Sequence, residues 1–228
     1  MKENRKFYFS VEGDTEIWYL EWLQKTINGI EESKYNVKFD SKKQKNPMTR
    51  AKGINIIRPV EINHIFDIES EDPSHTKQVK NILDNMKKAE NIGKSIKYFS
   101  GYSNFTFELW IILHKADCCG SKAHRDNYLT ALNQAYNKKF MSLKDYKKEA
   151  NFKSLLDSIE INDVISAIER AKRIMDNNEK NCNTVKEFSG YQIYIENPSL
   201  TIWQVIEKIL KECKLYKSTL NMSNTKNN

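Results

Sequence analysis

The chain has 228 residues, enough for one substantial domain with a real core, and its 37 Lys and Arg against 30 Asp and Glu leave a formal charge of +7. That excess suits a polyanionic partner such as nucleic acid, and it equally suits a soluble surface rich in lysine, so charge alone selects neither. No run of about 18 apolar residues occurs, MKENRKFYFS lacks a signal-peptide apolar core, and Cys118, Cys119, Cys182 and Cys213 show no CxxC or CxxH spacing, which excludes a membrane helix and a zinc finger and predicts a cytoplasmic protein with reduced thiols.

In chain order, Lys6 to Val11 is an apolar and aromatic run that predicts a buried strand. A helix follows, with Asp14 or Thr15 as cap, Glu16 in its first turn, Ile17, Leu20, Leu23 and Ile27 at helical spacing and Gly29 at its end. Tyr35 to Phe39 predicts a second strand, and the basic segment from Asp40 to Gly53, interrupted by Pro47, a surface loop or short helix. Ile62 to Phe66 runs into Asp67, Ile68 and Glu69 and reads as a strand ending in acids; His75 to Ile92 reads as an amphipathic helix closed by Gly93, and Ser95 to Phe99 as a further strand. This rhythm predicts an α/β fold with a mainly parallel sheet flanked by helices.

The stretch SNFTFELWIILHK from Ser103 predicts an apolar helix in which Glu108 is costly unless it is paired or at a metal, while Ser103 could cap it or bond a phosphate and His114 could close it. Asp126 to Asn178 reads as helical and charged, and Pro198 and Ser199 precede a last helix carrying Ile202, Val205, Ile206, Ile209 and Leu210. We therefore expect one domain over 1–215 with a mainly helical insertion at about 120–185, then a polar, disordered tail over 216–228.

In a parallel sheet all strand C-termini point to one edge, where ligands bind. If the strands ending in Glu12 and in Asp67 and Glu69 are neighbours, several carboxylates converge there, and such a cluster repels itself unless cations neutralise it. Hard oxygen ligands carrying this much charge suit Mg²⁺ or Mn²⁺, and hence metal-assisted phosphoryl chemistry. Glu16 lies four residues beyond Glu12 and can face it across Gly13, which permits a sharp turn and lets a phosphate approach the backbone. Taken singly, Glu16 also fits a residue complementing the helix dipole, and Glu69 a surface acid.

A strand ending in Glu-Gly followed by one ending in Asp-x-Glu resembles the Toprim signature, with Asp67-Ile68-Glu69 departing from its usual Asp-x-Asp. VEGDTE, FDIE, SNFTFELWIILH and the late NPS together resemble the RloB-like family, including its AbiLii-type abortive-infection proteins, over about residues 7 to 210. The resemblance implies a Toprim-like nuclease in phage defence, usually encoded beside an ABC- or SMC-like ATPase. It places Glu12 as metal ligand and general acid or base, Asp67 and Glu69 as metal ligands, and Glu16 as the second acid of the nuclease subgroup. Ser103, Asn104, Phe107 to Trp110 and His114 fall on a further family block.

On this reading Glu12 and Asp67 are catalytic, Glu12, Glu16, Asp67 and Glu69 hold one or two divalent ions, and Gly13, Ser103, Glu108 and His114 are further site candidates. Lys42, Lys43, Lys45, Arg50 and Lys52 could hold a nucleic-acid backbone, DNA or RNA, tRNA included, but no lysine can be nominated for the transition state. A homo-oligomer is left open. The alternative is a catalytically silent adaptor that docks on the ATPase and binds nucleic acid without cutting it.

Overall fold

A computed structural model describes residues 2–55, 58–70, 72–120 and 124–216. The tail expected at 216–228 lies, apart from Tyr216, outside them. Strand β1 (Glu3–Val11) leads through Gly13 into helix α1 (Asp14–Gly29), followed by β2 (Tyr35–Lys43), α2 (Pro47–Lys52), β3 (Val60–Ile68), α3 (Pro73–Glu90), β4 (Ile96–Asn104) and α4 (Glu108–Leu113). A helical stretch then comprises α5 (Tyr128–Tyr136), α6 (Leu143–Tyr146), α7 (Glu149–Leu156) and α8 (Ile161–Lys180). The hairpin β5 (Val185–Phe188) and β6 (Tyr191–Tyr194), the two-residue strand β7 (Ser199–Leu200) and α9 (Ile202–Glu212) complete the described chain.

The main sheet has five strands in the order β2-β1-β3-β4-β7. The first four are parallel and β7 runs antiparallel to β4, so the architecture is α/β, consistent with a Toprim-like sheet. Central β3 is covered on both faces, which is why its apolar residues run on without strict alternation. On one face, Phe7, Phe9, Val11 and Ile65 pack against α1, α4, α8 and α9 through residues such as Leu20, Leu23, Trp110, Ile168 and Ile206. On the other, Ile62, Phe66, Ile68, Tyr98 and Tyr102 pack against Val79, Leu83 and Met86 of α3. Burying a side chain of this size contributes about 1.5–3 kcal/mol, so these two layers hold the strand ends in place.

Several expectations change. Strand β2 continues to Lys43, in register with Val11, because β1 offers a full parallel ladder on that side. Strand β4 runs on to Asn104 beside β3, so Ser103 is a strand residue and not a helix cap, and Glu108 opens α4 instead of sitting in mid-helix. Neither Asp14 nor Thr15 caps α1: the N-cap is Gly13, with no side-chain bond, and Asp14 pairs with Lys43 at 2.7 Å. Helices α2 and α3 are capped by Asn46 and Asp72, each followed by proline at the first helical position. Arg50 is buried, donating to the Phe9 and Asp40 carbonyls and pairing with the Asp40 carboxylate, so it fastens α2 to the sheet and is not available to a phosphate backbone. The cysteines are free thiols.

Candidate active site

The parallel strands bring their C-terminal ends to one edge, where Glu12 follows β1 and Asp67 is the penultimate residue of β3. Successive strand side chains point to opposite faces. Asp67 therefore shares the face of Ile65 and Ser103, beneath α1 and α4, whereas Glu12, one residue beyond Val11, turns to the other face and lines a cleft with α2 and α3 residues. The two acids still meet at the rim, where the Asp67 backbone N–H donates to Glu12 Oε2 at 3.3 Å. Burial raises the Glu12 pKa above the usual carboxylate range, the Asp67 N–H and Lys45 oppose that shift, and Glu16 and Glu69 reinforce it.

Beneath α1 and α4 the acids are crowded. Glu16 is buried in the first turn of α1, its Oε2 accepting from Thr15 Oγ1 at 2.8 Å. A Cβ on Gly13 would lie 2.8 Å from that same oxygen, so the glycine makes room for the Glu16 carboxylate. Glu108 is wholly buried, accepts from the Thr106 hydroxyl, and lies 2.9 Å from Lys147 Nζ in an ion pair without hydrogen-bond alignment. Burial, then the charges of Glu16 and Glu108, hold Asp67 well above its ordinary range, with Lys147 opposing and Glu12 adding to the shift. Burial likewise raises Glu16, helped by Glu108 and opposed by Lys147.

The remaining candidates are placed as follows. Ser103 sits in register beside Asp67, its Oγ buried and without a hydrogen bond. Glu69 lies just past β3, half exposed, with its carboxylate 3.5 Å from His75 Nε2. His114, at the end of α4, is buried away from the acids, its Nδ1 at 2.9 Å from the Trp110 carbonyl and its Nε2 at 3.2 Å from the Tyr19 hydroxyl. Burial lowers its pKa to about 4, so it is neutral at physiological pH.

Lys147, Tyr146 and Thr106 were not nominated from sequence. Lys147 and Tyr146 end the short helix α6, which Ser142 caps by accepting the Asp145 N–H at 3.0 Å. The Tyr146 ring packs on Phe140 and Phe152 at 5.7 and 5.4 Å, and its buried hydroxyl, without a hydrogen bond, is pushed well above its usual pKa by burial and by Glu108, Tyr136, Glu16 and Asp67. The segment SLKDYKKEA carries no local signal for this, because only the fold carries it about 80 residues past β3 back to the same edge. Thr106 had a weak signal, two residues ahead of the anomalous Glu108.

The donor chemistry fits a hard divalent cation: carboxylates forced together, raised pKa values that a cation would relieve, and the unbonded Ser103 hydroxyl beside them. Among the described residues, however, no three His, Cys, Asp or Glu side chains are already disposed around one point that could hold an ion. Glu12 and Asp67 face opposite sides of the sheet, while Glu16 and Glu108 lie on the Asp67 side.

Fold and site together define an α/β protein with a buried, self-repelling acid cluster at the C-terminal edge of its parallel strands. The chain matches the family model of RloB-like protein over residues 7–209, nine-tenths of its length, and it belongs to that family. No curated protein and no solved structure matches it.

Proposed function

We propose that the protein is a divalent-metal-dependent, Toprim-type nuclease that hydrolyses phosphodiesters of DNA or RNA. The observation carrying this reading is Asp67, held well above its ordinary pKa among Glu16, Glu108 and Glu12 at a parallel-sheet edge, with Lys147 reaching the same point. Structural acids gain nothing from such crowding, whereas a catalytic site uses it. Asp67, Glu16, Glu12 and Glu69 would hold Mg²⁺ or Mn²⁺; when bound, the ion would polarise the phosphate and acidify water.

The chain's own residues supply the rest. Glu12, at the rim with a raised pKa, is suited to take a proton from the attacking water and return it to the leaving oxygen. Lys147 offers positive charge to a phosphate oxygen as charge develops, the part for which no lysine could be nominated from sequence. Thr106 and Thr15 fix Glu108 and Glu16 in orientation.

The RloB-like family is linked to defence and abortive infection, which supports a role in phage defence with an ABC- or SMC-like ATPase as partner. The second reading, a silent adaptor for that ATPase, is favoured by two observations: Glu69 faces His75, and no three described His, Cys, Asp or Glu side chains converge as they stand. Purified protein, with and without the ATPase, is incubated with plasmid or tRNA in Mg²⁺, Mn²⁺ or EDTA. Cleavage that requires metal and is lost in Asp67→Ala is expected; no cleavage in any combination, or full cleavage by the variant, overturns the nuclease reading.

A further inference from the structure

The cleft on the Glu12 side of the sheet has a chemistry distinct from the acid cluster. Its volume is about 340 Å³, and Glu12, Lys45, Pro47, Gln78, Asn81 and Asn85 are among its walls, with Ile82 as an apolar patch. Gln78, Asn81, Ile82 and Asn85 fall at i, i+3, i+4 and i+7, one face of α3. The helix divides its polar residues: Lys77, Lys80, Asp84, Lys87 and Lys88 are excluded from the cleft wall, and three amides occupy it. A solvated face has no reason for that partition.

Amides carry both donors and acceptors and no charge, the pattern that matches the edge of a base, whereas a phosphate calls for lysine or arginine. Asn85 is pre-set, its Nδ2 donating to the Asn81 carbonyl at 2.8 Å and to Asn81 Oδ1 at 3.1 Å. Buried Pro47 and half-buried Ile82 offer apolar surface to a ring, and the cleft lies at the small end of the range of about 300–1,000 Å³ for small-ligand sites, enough for one nucleoside. Lys45 shares the cleft wall with Glu12 and supplies the positive charge that an adjoining phosphate calls for.

We infer that this cleft receives one unpaired nucleobase next to the scissile phosphate, read by Gln78 and Asn81, so that the preferred substrate is single-stranded or flipped out at the cut; this rests on the nucleic-acid reading above. A base in a duplex keeps its edge paired and its faces stacked and cannot enter.

The protein in EDTA is titrated by fluorescence anisotropy against labelled homopolymers of A, of C and of T (as DNA) or U (as RNA), and against a mixed-sequence duplex. Wild type is expected to prefer a single strand over duplex about tenfold and to rank the bases unequally. The exposed pair Gln78→Ala/Asn81→Ala should bind all single strands alike within about twofold, and Gln78→Glu, which loses the amide donor, should reorder the ranking. Equal binding of duplex and single strand by wild type, or an unchanged ranking in the double variant, overturns the inference; the DNA and RNA arms identify the polymer. Cleavage is scored separately. No cleavage with the ranking intact overturns the nuclease reading alone, while cleavage with identical base preference in wild type and double variant overturns this inference alone.

Discussion

Replacing Lys147 by Met removes the cation 2.9 Å from Glu108, whose side chain has no solvent exposure. Stranding one member of a buried pair costs about 3–5 kcal/mol. Here Lys147 is 32% exposed and Thr106 still donates to Glu108, so we expect about 2–3 kcal/mol. For a chain of this size that lowers Tm by roughly 4–12 °C. Glu108→Gln should cost less, because Lys147 keeps Glu16 and Asp67 as neighbours. The double variant should recover part of the loss, with a coupling energy of about 0.5–3 kcal/mol between the sites. Thermal and urea unfolding of all four proteins in EDTA measures the cycle. Strict additivity would refute the claim that Lys147 neutralises Glu108. Cleavage gives a separate readout: if Lys147 serves the phosphate, the double variant regains stability and stays inactive, and recovered cleavage would reduce Lys147 to a structural partner.

The raised carboxylates predict an inverted pH response. A group raised in the folded state contributes stability below its unfolded pKa, here 3.8 for Asp67 and 4.5 for Glu12 and Glu16, and loses it as pH rises through the folded value. Metal-free protein should therefore weaken from about pH 4 toward neutrality, and Asp67→Asn should flatten that slope; an unchanged slope in urea melts refutes the assignment. In Asp40 and Glu207 burial is outweighed by lysine partners, and for Asp40 by Arg50, so their pKa values are lowered and they work oppositely, losing stability as pH falls below 3.8 and 4.5 respectively. Mg²⁺ or Mn²⁺ at a hundredfold excess over Kd should stabilise wild type by about 2.7 kcal/mol at neutral pH and leave Asp67→Asn unmoved, which a thermal shift assay reads directly. Gly13→Ala should displace the Glu16 carboxylate at a stability cost under about 1 kcal/mol while cutting cleavage severely, since the added Cβ meets only the movable end of that side chain. Arg50→Ala should cost about 1–3 kcal/mol by taking the side-chain donor from the buried Phe9 and Asp40 carbonyls, while the Asp40 carboxylate keeps Lys6 at 2.7 Å, with no loss of nucleic-acid affinity in the folded fraction.

Local pattern was enough for part of this molecule. Apolar runs closing on Glu12 and Asp67, helical spacing in α1, α3, α8 and α9, and the strand-helix rhythm all follow from periodicities that a short window contains, and they imply a mainly parallel sheet with an acidic edge. Boundaries were less legible. Strands β2 and β4 outrun their apolar cores and β7 is only two residues long, because ladder pairing with a neighbour extends a strand beyond what its own residues prefer.

What only the tertiary structure decided is which groups share the edge. Strand alternation splits Glu12 and Asp67 between two faces, sending one to an amide-lined cleft and the other to a buried acid cluster. Gly13 yields its space to Glu16, and His114 closes a helix in the core. Lys147 reaches Glu108 from a short helix inside the helical stretch. Charges interact through space with no memory of chain separation, so a lysine 39 residues from its acid is invisible to spacing and becomes evident only when packing has placed both.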